Sequence, residues 1–98
     1  MIVEIAQIEV KAGSVEKFEV GVRAAREIFL AAAGCRGIKL WRSVEHQFRY
    51  RLVVEWETLQ HHTVTFRQSP GFTAWRQLVQ DCFASSPQVE HNEIVPLD

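Results

Sequence analysis

Apolar residues recur at alternating intervals of three and four from Val15 through Phe18, Val22, Ala25 and Phe29 to Ala32. That spacing holds them on one side of an α-helix and predicts a long amphipathic helix with a single buried stripe. Ser14 is placed to cap its start, and Gly34 to end it in a left-handed conformation. On both sides of the helix the period falls to two. Residues 2 to 10, IVEIAQIEV, read as a strand with both faces partly apolar, followed by a turn at Lys11-Ala12-Gly13. Ile38 and Leu40 alternate with Lys39 and Trp41, and Tyr50, Leu52, Val54 and Trp56 alternate with Arg51, Val53 and Glu55. The polar link from Ser43 to Gln47 makes these two strands a hairpin.

Beyond the hairpin Thr58 can cap a short helix in which Leu59, His62 and Phe66 share a face. Ser69 and Pro70 start another, whose apolar side is Phe72, Trp75, Val79 and Cys82. A last strand runs from Val89 to Val95. The order strand, helix, strand, strand, broken helix, strand is the split βαβ pattern, so the expected fold is α+β and ferredoxin-like, with a four-stranded antiparallel sheet. At 98 residues the chain is a single domain, 1–98, with one layered core. Helices cover only one side of such a sheet. Val3 and Ile5, or Val53, remain on the other, which predicts a homodimer packed sheet to sheet.

Charge narrows the partners. With 11 basic and 12 acidic residues spread along the chain, nothing draws in a polyanion, and nucleic acid is not an expected partner. No apolar run approaches the ~20 residues a membrane helix needs. Met1 to Val10 runs straight into a β-rich stretch without a basic leader and a small-residue cleavage site, so a cytoplasmic location is expected. Cys35 and Cys82 lack metal or redox spacing and read as buried thiols. His61 and His62 are adjacent rather than four apart, which argues against a metal site.

The turn IEVKAG at 8 to 13, the run RYRLVVEWETLQHHTVTFRQSPGF at 49 to 72, and VEH at 89 to 91 resemble the antibiotic biosynthesis monooxygenase family. The resemblance implies a dimeric α+β barrel, with a pocket between sheet and helices in each subunit. It also implies small oxygenases that oxidise quinol-like or phenolic aromatics with molecular oxygen and neither metal nor flavin. A haem-degrading branch resembles a pattern of asparagine, tryptophan and histidine. The matching positions here are Ala6, Thr65 or Phe66, and Arg76, so haem is not expected and no cofactor is.

His62, on the apolar side of the short helix, is the candidate general base, and Tyr50 the candidate hydroxyl donor. Phe66, Phe72, Trp75 and Val79 are the candidate walls for a small aromatic molecule. Each has a plainer reading as a core residue, in which the chain is a non-catalytic small-molecule-binding or structural dimer. Glu90 and His91 are neighbours on a strand, so only one of them can face a pocket.

Overall fold

The alternation that predicts strands is realised four times. The computed structural model describes residues 1–98. The elements follow in the order β1 (Ile2–Glu9), α1 (Val15–Leu30), β2 (Cys35–Arg42), β3 (Arg49–Trp56), a π-helical turn (His61–Phe66), α2 (Pro70–Val79) and β4 (Gln88–Glu93). The strands hydrogen-bond in the order β2-β3-β1-β4, each neighbouring pair antiparallel, which is the expected ferredoxin-like sheet.

Register decides which side chains reach the helices, because residues directly opposite one another in an antiparallel pair share a face. Glu4 stands opposite Val54 and His91, Ala6 opposite Leu52 and Val89, and Ile8 opposite Tyr50. Between this face and the stripe Phe18, Val22, Ala25 and Phe29 of α1 lies the core, closed at one end by Trp75, Val79 and Cys82. The two helices come close enough that a β-carbon on Gly21 would stand 2.9 Å from the Leu78 carbonyl oxygen, so a larger residue there would push α1 off α2.

Element ends differ from expectation where local bonds compete with the pattern. α1 closes at Leu30, and the Ala32 amide donates to the Phe29 carbonyl in a tightened last turn instead of extending the helix. Gly34 takes the left-handed conformation, φ 80°. Ser14 precedes α1 without a side-chain capping bond, whereas the Ser69 hydroxyl accepts from the Phe72 amide. β4 stops at Glu93, leaving Ile94 and Val95 exposed rather than paired.

The face of the sheet away from the helices carries Val3, Ile5 and Val53 together with the half-exposed Trp41, interspersed with Lys39, Arg51 and Glu55. No helix is long and apolar enough to cross a membrane.

Candidate functional site

The two imidazoles of the His61-His62 pair have different surroundings. After Trp56 the Thr58 hydroxyl accepts from the His61 amide, starting the π-helical turn, and stands 2.8 Å from His61 Nδ1. Gly34 packs against that ring so closely that a β-carbon would overlap it. His61 is thereby fixed as a strut between two loops. His62 points the other way, is 4% exposed, and stacks on the indole of Trp56 with ring centres 5.4 Å apart.

The chain of polar contacts around His62 is short and almost wholly buried. Trp56 Nε1 donates to Glu4 Oε1 at 3.0 Å, His62 Nε2 lies 3.3 Å from the same oxygen, and His62 Nδ1 lies 2.8 Å from His91 Nε2. Glu4, 5% exposed, comes from β1, His62 from the π-helical turn and His91 from β4. Burial raises the Glu4 carboxyl to about 7, against the lowering effects of the Trp56 hydrogen bond and the Arg67 charge. Burial, then the His91 and Arg67 charges, lower His62 to about 4. His91 is lowered too, by burial first and then by Arg67. Near neutrality both imidazoles are uncharged, and the carboxyl is poised between its two forms.

Two proton arrangements satisfy these contacts. With Glu4 ionised, His62 donates from Nε2 to the carboxylate and accepts at Nδ1 from His91. With Glu4 protonated, the carboxyl donates to Nε2, and His62 donates from Nδ1 to His91. Passing from the second to the first moves a proton from the buried carboxyl by way of His62 toward the half-buried His91, leaving the carboxylate as the buried charge and His62 neutral throughout.

Glu4 and His62 line a partly open cavity of about 180 Å³ between sheet and helices. Its apolar walls include Ala6, Phe29, Phe66, Phe72, Trp75 and Phe83. The rings brace one another, Phe66 at 4.9 Å from Phe29 and 5.9 Å from Phe72, and Phe29 at 5.2 Å from Trp75. The volume is below the roughly 300–1,000 Å³ typical of sites for drug-sized ligands. It suits a molecule of one or two rings.

The structure thus brings His62, Phe66, Phe72 and Trp75 around one space, and leaves two of the sequence candidates outside it. Val79 is fully buried in the core and does not reach the cavity, because α2 turns it toward Gly21 of α1. Tyr50 shares the sheet face of Trp56, but six positions along β3 place the two roughly 20 Å apart at ~3.3 Å per residue. Its hydroxyl donates to Glu19 Oε2 at 2.5 Å, beside a shallower and wider groove of about 380 Å³ lined by Arg23, Arg26, Lys39 and Arg42. It cannot serve as donor to a ring held at His62. Leu59 also leaves the predicted face and is 39% exposed, since it precedes the π-helical winding.

Sequence reasoning passed over Glu4 and Arg67, named Arg76 only as a position that argues against haem, and left His91 without a role; all but His91 line the cavity. For Glu4 the signal was present: a carboxylate in phase with Ala6 and Ile8, the buried positions of β1. The positions singled out by the haem-degrading pattern also line this cavity as Ala6, Phe66 and Arg76. A methyl, a phenyl ring and a guanidinium that stays protonated offer iron no lone pair, so these residues do not fit haem.

Similarity to known proteins agrees with the geometry. A structure from Bordetella bronchiseptica, described as an antibiotic biosynthesis monooxygenase by assignment, is 52% identical with a TM-score of 0.95, covering 97% of each chain. The uncharacterized protein YczJ of Bacillus subtilis (strain 168) is 35% identical over 91 residues, which is 93% of this chain and 96% of YczJ. A Nitrosomonas europaea structure at 20% identity and a TM-score of 0.83, covering 98% of this chain and all of its own, shares the fold. The family model for antibiotic biosynthesis monooxygenases matches residues 1–78, from β1 almost to the end of α2, and the chain belongs to that family.

Proposed function

We propose that this protein is a cofactor-independent monooxygenase of small quinol-like or phenolic aromatics, working as a homodimer. The observation that carries this reading is the close Glu4–His62 pair, with His62 Nε2 3.3 Å from Glu4 Oε1, in the lining of an aromatic cavity, with His91 behind it. A phenol is a weak reductant of oxygen until it loses its proton. The ionised form of a carboxyl whose pKa lies at about 7 takes that proton at working pH, and His62 passes the charge imbalance on to His91. The electron-rich ring anion then gives one electron to oxygen, and the resulting radicals combine at a ring carbon. Loss of water from the hydroperoxide leaves a carbonyl. One oxygen atom ends in the product and the other in water, and the substrate supplies every electron. Dry aromatic walls keep the intermediate from other reactions.

His62 in this reading is the relay of the base rather than its sole acceptor. Burial that lowers it to about 4 makes it a poor store for a proton, but a neutral imidazole between two partners transfers one readily. The test is oxygen uptake by purified protein with a panel of naphthols and naphthoquinols and no added reductant. Uptake of one oxygen per substrate, with one labelled oxygen atom in the product, is expected. Absence of protein-dependent uptake across the panel removes the oxygenase.

The sheet face bearing Val3, Ile5, Val53 and Trp41 supports the dimer, since a second copy supplies the apolar cover that the helices give the other face. Light scattering at micromolar concentration should report about twice the 11.3 kDa chain mass. Introducing a charge with Val53→Lys should shift the species to a monomer, and a wild-type monomer would remove the sheet-to-sheet assembly.

A further inference from the structure

Two cations at the cavity have no carboxylate within ion-pair distance. Arg67, at the close of the π-helical turn, and Arg76, on α2, both line it. Five other arginines pair with carboxylates, Arg23 and Arg42 with Glu19, Arg26 with Glu27, Arg36 with Glu57, and Arg49 with Glu9, while Arg51 donates to the Gln7 side-chain oxygen. Arg67 and Arg76 have no such partner. Their guanidinium groups lie instead over aromatic rings, Arg67 at 5.8 Å from the centre of Phe72 and Arg76 at 5.5 Å from that of Phe83. Arg76 Nε is a buried side-chain donor with no hydrogen-bond partner, and no other buried side-chain nitrogen or oxygen in the chain lacks one. A buried donor is seldom left without an acceptor, and a ligand oxygen is the simplest one to supply here.

Glu4 does not answer this need: its Oε1 accepts from Trp56 Nε1 and faces His62 Nε2, and although the Arg67 charge acts on the carboxyl, neither arginine forms an ion pair with it. The cavity therefore has an aromatic middle, a proton-accepting side at Glu4 and His62, and two guanidiniums without an ion-pair partner, one of them with an unsatisfied buried donor. A neutral hydrocarbon ring would fill the middle and leave the arginines unmatched. A planar carboxylate satisfies the fork of donors on a guanidinium, and is small enough to share about 180 Å³ with a ring system.

We propose that the ligand of this cavity is an aromatic acid, its ring held among Phe66, Phe72 and Trp75 and its carboxylate held by Arg76 with help from Arg67. The proposal deepens the oxygenase reading by naming the substrate class. The carboxylate sets the orientation of the ring, so that a hydroxyl elsewhere on it is presented to Glu4 and His62.

Titration calorimetry on the full chain at pH 7 and low salt tests it, with 2-naphthoate and its neutral isostere 2-naphthamide as probes. Naphthoate should bind at least tenfold more tightly than naphthamide. Arg76→Gln should remove most of that preference while changing naphthamide affinity less than threefold. Arg67→Gln, at an exposed position, should reduce it in part without any risk to the fold. Equal affinity for the two probes, or a preference that survives both substitutions, overturns the acid subsite. So does failure of both probes to bind a protein that still consumes oxygen with quinols. A preference for naphthoate in a protein that oxidises nothing would instead uphold the subsite and remove the oxygenase.

Discussion

Glu4→Gln should lower turnover of a quinol or naphthol by roughly a hundredfold to ten-thousandfold, the range for a lost general base. Glutamine keeps the shape of the residue and an oxygen to accept from Trp56 Nε1, but cannot hold a proton from the substrate. In the unsubstituted protein kcat/KM should rise with pH to a plateau, with its inflection near the pKa of about 7 for Glu4, because the ionised carboxylate is the working form. The groups facing that carboxyl are Trp56 on β3, His62 and Arg67 on the π-helical turn, and His91 on β4. Both imidazoles are neutral at this pH, so the carboxylate sets the inflection. Glu4→Gln should abolish the inflection along with the activity, and should raise the melting temperature at pH 8, where the native side chain is a buried anion. A variant within threefold of wild type would return Glu4 to the role of a buried structural carboxyl.

His62→Ala should cost at least a hundredfold in turnover, and His61→Ala far less, since His61 braces Gly34 and Thr58 outside the cavity. Stability against pH separates a functional loss from a damaged core. Between about 4.5 and 6.5, the ordinary values of the two groups, the unfolded chain holds its proton on His62 and the folded chain holds it on Glu4. The proton counts match, so the pair contributes no slope to stability across that interval. Without His62 the folded state still keeps a protonated Glu4 that ionises only near 7, while the unfolded carboxyl is already ionised above about 4.5. The folded state then binds more protons. Stability of His62→Ala should fall as pH rises through that window, by up to ~1.4 kcal/mol per pH unit. Chemical denaturation at pH 5, 6 and 7 measures it. If His62→Ala shows the slope but retains its specific activity, the histidine is only a partner that keeps a buried acid neutral.

The fold was legible because its elements announce themselves by period. The stripe from Val15 to Phe29 and the alternation through Tyr50 to Trp56 each match the buried face that forms. The cavity was legible in part. Phe66, Phe72 and Trp75 lie on short segments whose apolar side is plain from spacing, but the same spacing gives Val79, and only the close packing of α2 on Gly21 turns it into the core. Tyr50 shares a sheet face with Trp56, and a face says nothing of distance along the strand. Glu4 and His91 meet through the β1–β4 register, a pairing of residues 87 positions apart that no local pattern encodes. His91 lies beyond the residues matched by the family model, and although it ends the VEH run that carries the resemblance, that run gives it no role.

The π-helical turn closes with the Arg67 amide donating to the His62 carbonyl five residues back, so it holds one residue more than an α-helical turn over the same path. An extra residue rotates everything before it by about 100° relative to everything after it. The pairing of His62 with Glu4 and of Phe66 with Phe29 therefore depends on the length of this segment as much as on its composition. A one-residue deletion would let the turn relax to α-helix and swing a different side chain toward Glu4 while every cavity residue stayed in the sequence. Insertions and deletions at this turn, rather than exchanges of its residues, offer the shortest route by which a lineage could gain or lose the buried imidazole. In an alignment such an event would show only as a gap of a single column.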